Sequence, residues 1–437
     1  MKVGFVSLGC SKNLVDTEKT IDLFKKHGYD IVNNPKEAEI IVINTCGFIE
    51  AAKEEAINTI LEMADYKREN CKYIIAMGCL VQRYRDELEK SLPEVDLFIK
   101  YSEYDTIWSQ IDNLINKDII HEKEEDIPFN KLKDRVITTG ENFAYIKIAD
   151  GCNNCCTFCA IPYIRGRFES RPMEDIIEEA KDLAEKGYKE IILIAQDTTK
   201  YGIDIYGKPK LAELLKKLCK IDGIKWIRFL YAYPETIDDK LIKVVKKNDK
   251  ICKYFDIPIQ HISDTVLKRM NRKSNAESIE LLIKKLRDKI PGVIIRTTVM
   301  VGFPGETQED FDKLCEFIEK AKFDKLGAFS YSKEEGTPAS KMPEQIHPKT
   351  KKARYNKIME IQQKVSEENL NKYIGKELEV LVEGKTKDGK YYVCRSYMDV
   401  PDIDGVIYLE TSKELKSGDF TTCTIKSSIN EYDILGN

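Results

Sequence analysis

The chain has 437 residues, of which 42% are hydrophobic and 33% charged. That length calls for two or three domains, and that composition is the soluble globular class. A net charge of −4 argues against a protein living mainly on nucleic-acid phosphates, and no apolar run is long enough to span a bilayer.

The opening run, Met1 to Gly9, reads as a buried strand entering a turn, not as a signal peptide, so a cytoplasmic location is expected. Up to about residue 116, strand candidates Val3–Ser7, Ile40–Ile43 and Tyr73–Met77 alternate with helical patterns over Leu14–His27, Ile49–Ala64 and Val81–Ser91. That rhythm predicts a doubly wound α/β domain over 1–116. A charged linker is expected over 117–137, with His121 in it.

From Asn142 the β-then-α rhythm restarts. Strands are predicted at Phe143–Ile148, Glu190–Ala195, Trp226–Leu230, Tyr254–Ile257, Ile294–Val299 and Lys325–Phe329. Helical patterns at Met173–Lys186, Ser278–Lys289 and Gln308–Lys320 fall between them. Six βα units predict a partial (βα)6 barrel over 138–368, whose chemistry gathers at the C-terminal ends of the strands. A long helix, Lys349–Tyr373, leads out. Over 369–437, short strands at Glu377–Glu383, Tyr391–Arg395, Val406–Glu410 and Phe420–Lys426 predict a small antiparallel β-barrel.

Thirteen cysteines in such a chain do not look like a disulfide framework. Cys152, Cys156 and Cys159 form a C-x3-C-x2-C run directly after the first barrel strand. Three thiolates can hold a four-iron cluster by three irons and leave the fourth iron open to a ligand. A structural zinc site is the rival, but it needs a fourth protein ligand, and the next separate cysteine, Cys219, is far along the chain. Phe158 is placed to shield such a cluster from water.

Cys10, Cys46 and Cys79 each follow a predicted strand of the first domain. Loops after neighbouring parallel strands converge at one sheet edge, so these three can meet at a second open site. Gly9, Gly47 and Gly78 beside them permit close backbone approach; the competing reading is three small buried hydrophobes. Gly302 and Gly305, in the run Val301-Gly302-Phe303-Pro304-Gly305-Glu306, form a strand-end loop that can press its backbone on a cofactor. Gln196 and Asp197 close another strand, ready to contact a cofactor amine or ribose or simply to cap the next segment. His261 is the one histidine expected near the site; His27, His121 and His347 read as surface or loop residues. Cys71, Cys155, Cys219, Cys252, Cys315, Cys394 and Cys423 read as structural.

With these residues in place the chain resembles the radical S-adenosylmethionine (SAM) enzymes. Its three-cysteine first domain and terminal barrel narrow the resemblance to their methylthiotransferases, across essentially the whole chain. The resemblance implies a first domain carrying an auxiliary cluster and a last domain like a TRAM domain. It implies two [4Fe–4S] clusters and SAM as cofactors, with Phe158, Gln196, Asp197, Gly302 and Gly305 around them. It also implies an external electron donor, a sulfur donor and no membrane. One branch modifies adenosine in tRNA near the anticodon; the other modifies the β-carbon of an aspartate in small-subunit ribosomal protein twelve. Strings such as Asn44-Thr45-Cys46-Gly47-Phe48-Ile49 and Ala195-Gln196-Asp197-Thr198-Thr199-Lys200-Tyr201-Gly202 resemble the ribosomal-protein branch. Arg167 departs from it, since many chains of that branch are acidic there. From Asn371 to Asn437 there are 9 Lys and Arg against 12 Asp and Glu. An acidic module suits a basic ribosomal protein better than it suits RNA. The tRNA branch, and an electron-transfer protein without group transfer, stay as alternatives.

Overall fold

The computed structural model describes residues 1–116 and 126–437; His121 and most of the charged run around it lie outside the described residues. The first domain is a parallel sheet of β1 (Lys2–Ser7), β2 (Asp30–Val32), β3 (Ile40–Thr45), β4 (Tyr73–Gly78) and β5 (Leu97–Lys100), in the order β2-β1-β3-β4-β5. Helices α1 (Ser11–Lys26), α2 (Glu50–Ala64) and α3 (Cys79–Ser91) follow β1, β3 and β4. β3 is buried along its whole length because a parallel strand between two helix layers has no wet face. The strand order reverses between β1 and β3, and ligands bind such sheets at that switch point, beyond the strands' C-terminal ends.

Residues 126–137 are not a free linker. Phe129 and Leu132 are buried in the first domain's core. Arg135 is buried too, and its guanidinium meets Glu18 of α1 and, at 2.9 Å, Glu179 of the central domain. The sequence hides this because charged flanks mask two apolar anchors.

The central domain has the six expected strands: β6 (Phe143–Lys147), then, after the short pair β7 (Ala149–Asp150) and β8 (Glu169–Ser170), β9 (Glu190–Ile194), β10 (Trp226–Phe229), β11 (Tyr254–Gln260), β12 (Ile294–Val301) and β13 (Lys325–Ser330). They form two parallel triplets, β10-β9-β6 and β11-β12-β13. The triplets meet where β10 bridges the segment just before β11, Ile227 to Ile251, so the barrel is partial and incompletely laddered. Alternate strand residues divide the packing. Ala144, Ile146, Leu193 and Phe229 pack outward in the large core cluster formed with the helices. Tyr145, Ile192, Trp226 and Tyr254 point into the lumen and pack on the C-terminal barrel.

That last barrel closes in the order β14-β15-β16-β18-β17, with β14 (Glu377–Lys385), β15 (Tyr392–Ser396), β16 (Ile407–Leu409), β17 (Phe420–Ser428) and β18 (Ile434–Gly436). It is antiparallel except at the closure, where β16 and β18 run parallel. The three-residue β18 carried too little pattern to be foreseen. Among the described residues, no helix is long and apolar enough to cross a membrane.

Candidate active site

The sheet topology brings the first triple together. Cys10 follows β1 and Cys46 follows β3, on the two sides of the switch point, and Cys79 opens α3 after β4. Gly9 has a φ of +87°, and a Cβ there would lie 2.7 Å from the Cys46 Cβ and 2.9 Å from its sulfur. A Cβ on Gly78 would strike the Asn44 side chain at 2.3 Å. Both glycines let strand ends crowd close enough for the thiols to converge.

The second triple sits beyond β6 at the barrel's C-terminal mouth. Its loop is held by Asp197, whose carboxylate accepts from Asn154 Nδ2 at 2.9 Å and from Thr199 Oγ1 at 2.5 Å. Asp197, read as a cofactor contact or a cap, is buried and its carboxylate is bonded to the cysteine loop. Cys156 Sγ lies 3.8 Å from the Tyr233 hydroxyl and 3.9 Å from Arg272 Nη1. The Asn154 amide donates to Cys152 Sγ at 3.4 Å. Cys155 is exposed at φ +52°, turned out of the loop rather than packed as structural cysteines are.

The two triples share one seam. Cys79 packs with Ala160 and Ile164, the residues just beyond Cys159. The short helix Ile161–Arg165 ends in Arg165, whose Nη2 lies 3.8 Å from Cys79 Sγ. The same guanidinium reaches Asn13 Oδ1 at 2.5 Å, Asp16 at 2.9 Å and Asp150 at 2.9 Å. Asn13 Nδ2 in turn donates to the carbonyls of Leu8 and Thr45, tying the loops that carry Cys10 and Cys46.

Burial raises the Cys79 thiol to about 12, despite Arg165 beside it. Burial likewise raises Cys159 to about 12 and Cys152 to about 11. At Cys10 burial also pushes upward, but Lys12, Arg165 and the Asn13 and Lys12 amides outweigh it and hold the thiol below its ordinary range. Metal ligation deprotonates such thiols outright.

Among the described residues, no three or more His, Cys, Asp or Glu side chains converge on a point suited to one metal ion. The free cysteines, the N–H groups aimed at sulfur and the lack of a fourth cysteine suit a three-thiolate cluster at each triple.

The remaining expected residues divide. Phe158 is half-buried and packs edge-on to Phe303, 6.4 Å between centroids. Glu306 fixes the glycine loop by accepting from the Gly302 and Phe303 amides, at 2.6 and 3.1 Å. The Cα faces of Gly302 and Gly305 are covered by Lys351 and Arg269. His261 is 0% exposed and lies behind that loop, its Nε2 4.0 Å from Glu306. Gln196 Nε2 donates to Asp150 at 3.1 Å, while its buried Oε1 has no partner. Sequence reasoning missed Lys12, Asn13, Asp16, Asp150, Arg165, Tyr233 and Arg272. The available signal was α1, which lacks an apolar stripe yet buries Asn13, Asp16, Glu18 and Lys19.

Three family models match: Radical SAM superfamily over residues 146–318, Uncharacterized protein family UPF0004 over 2–100, and TRAM domain over 374–437. Fold and matches together define a three-part radical SAM protein. Among solved structures, the radical SAM methyltransferase TsrM from Kitasatospora setae aligns at TM-score 0.58, with 12% identity, over 77% of this chain and 73% of that one. The cobalamin-dependent radical enzyme OxsB aligns at TM-score 0.51, with 13% identity, over 83% and 56%. At such identities the likeness is one of fold alone. Among curated relatives, the ribosomal protein uS12 methylthiotransferase RimO of Alkaliphilus oremlandii is 60% identical over 100% of this chain and 98% of its own. The same-named proteins of Clostridium perfringens and Lachnoclostridium phytofermentans are 52% and 50% identical, over 100% of this chain and 97% and 99% of theirs. The chain belongs to the RimO family of radical SAM methylthiotransferases.

Proposed function

We propose that this chain attaches a methylthio group to the β-carbon of an aspartate in ribosomal protein uS12, breaking a C–H bond and forming a C–S bond. The relatives carry the choice of substrate, being named for uS12 at up to 60% identity over the full length. One structural observation carries the chemistry: two three-cysteine sites back onto a single seam, joined by Arg165.

Cys152, Cys156 and Cys159 hold one [4Fe–4S] cluster, and Cys10, Cys46 and Cys79 a second. When bound, the clusters and SAM supply the one-electron chemistry and an open iron for sulfur. The chain supplies order and shielding. Asp197 and Asn154 set the cysteine loop, Tyr233 and Arg272 approach Cys156, and Phe158 with Phe303 keeps water from that side. The electron donor and the sulfur donor are external proteins or small molecules, and the site of action is the cytoplasm.

The test is anaerobic reconstitution with iron and sulfide, then incubation with purified uS12, SAM and a reductant. Mass spectrometry is expected to find the methylthio group on one aspartate. SAM cleavage with uS12 left unmodified, every component being present, contradicts the assignment.

A further inference from the structure

The barrel mouth holds a buried lysine that meets no carboxylate. Lys12, two residues past Cys10, is 6% exposed. Its Nζ lies 3.5 Å from the Ala195 carbonyl and 3.5 Å from the centre of the Tyr231 ring. Among the described residues, no carboxylate comes within ion-pair reach of it. Most other cations of the seam between the first and central domains do meet one. Arg135, Lys147, Arg165 and Arg171 each meet a carboxylate. Lys19 donates to the Phe129 carbonyl at 3.1 Å, a firmer hydrogen bond than Lys12 makes.

Burying a charge away from any counter-charge is unfavourable, and the aromatic face offsets only part of that. The balance must come from something that binds. Ala195 ends β9, and Tyr231 follows β10, so Lys12 reaches from the first domain into the C-terminal mouth of the barrel. The next residue, Gln196, adds a second uncommitted group, its buried Oε1 lacking any donor. The Tyr231 ring beneath Lys12 is held at φ +61°, its amide bonded to Asp256 at 3.0 Å. A cation on a fixed aromatic ring, with a free acceptor on the next residue along β9's end, complements a carboxylate with an N–H beside it.

We propose that Lys12 binds the side-chain carboxylate of the target aspartate and that Gln196 Oε1 accepts a peptide N–H beside it. This rests on the uS12 reading above and names the residue that selects an acidic side chain. A site built around a charged partner rejects an isostere lacking that charge, because the buried cation is left alone. SAM also carries a carboxylate, and the thiolates of Cys10, Cys46 and Cys79 are anionic when ligating. A Lys12 devoted to either of those would not discriminate between targets.

The experiment is a cycle on the reconstituted full-length enzyme: wild type, Lys12→Met and Lys12→Arg, each with uS12 carrying the natural aspartate or its Asn replacement. Wild type is expected to favour the aspartate by about a hundredfold in kcat/KM, the scale of one charged hydrogen bond. Lys12→Met is expected to lose most of that preference, mainly through KM, and Lys12→Arg to keep it. Iron and sulfide content identifies any variant that fails to assemble. Equal loss on both targets in Lys12→Met overturns the proposal. So does a wild-type enzyme indifferent to the Asn replacement, a result that needs no enzyme variant. If wild type modifies neither target, the uS12 reading itself fails and the proposal falls with it.

Discussion

Where the barrel strands begin, Glu190, Arg228 and Arg395 lie wholly inside protein, with Arg395 2.8 Å from Glu190 and Arg228 donating to the Tyr397 and Ser396 carbonyls at 2.6 and 2.8 Å. The C-terminal barrel is docked onto this end, its apolar residues packed on Trp226 and Tyr254. Where the strands finish, the buried groups are of another kind: the thiols of Cys79, Cys152 and Cys159 raised by burial, a lysine that meets no carboxylate, a glutamine oxygen without a donor. Both ends bury costly polar groups. One end pairs its charges with one another and so serves as structure; the other leaves groups unpaired, which is tolerable where ligands complete them.

The contrast predicts opposite responses to mutation. The largest effect belongs to the unfinished end. Cys156→Ala is expected to abolish reductive SAM cleavage, measured by 5′-deoxyadenosine release, with little change in urea stability. Cys46→Ala is expected to keep cleavage while stopping methylthio transfer, and full transfer by that variant would refute the two-cluster scheme.

At the other end, Glu190→Ala leaves two buried guanidinium groups without their shared carboxylate. It is expected to cost about 3–5 kcal/mol in urea unfolding, while cluster content in the folded fraction stays the same. Replacing Glu190, Arg228 and Arg395 together by apolar residues of similar volume is expected to restore most of that loss. Should Glu190→Ala empty the clusters instead, the division between the ends fails.

A pH scan sharpens the comparison at the glycine loop where the strands finish. Burial lowers the His261 pKa to about 4, against the opposing pull of Asp310, with Arg354 adding to the lowering. Glu306 also faces its Nε2. The folded protein therefore holds this ring neutral while the unfolded chain protonates it. Stability is full above the unfolded value of about 6.5 and falls as pH drops toward 4, by up to about 3 kcal/mol. His261→Asn is expected to flatten that part of the profile; an unchanged slope assigns the acid sensitivity elsewhere.

The smallest effect concerns the seam. Arg165→Gln combined with Asp16→Asn removes one buried charge of each sign, keeping the network neutral. Losing the cation beside Cys79 is expected to disfavour reduction of the first-domain cluster by about tenfold, one charged hydrogen bond's worth. Spectroelectrochemical titration reads this, with the other cluster as the internal control. Equal shifts in both clusters would contradict the placement of Arg165.

The sequence made the six barrel strands legible because parallel strands buried on both faces are nearly unbroken apolar runs, as in Glu190-Ile191-Ile192-Leu193-Ile194. Cys10, Cys46 and Cys79 were legible through topology, since each directly follows a strand. Lys12, Asn13, Asp16 and Arg165 were not. Periodicity assigns charged residues on a helix to water, and only the docking of α1 on the central domain buries them. Asp197 was legible as a strand-end residue, but its role was not, because its partner Asn154 is distant in sequence. The parallel closure of the last barrel was hidden for a related reason: it pairs two three-residue strands that local pattern barely marks.

The most direct test of the central claim is mass spectrometry of ribosomal protein uS12 and of bulk tRNA from cells lacking this gene, with and without its restoration. The account predicts that the methylthio mass disappears from a single uS12 aspartate, returns with the wild-type gene, fails to return with Cys46→Ala, and never changes in tRNA. Loss of the methylthio group from tRNA with uS12 unchanged would contradict it.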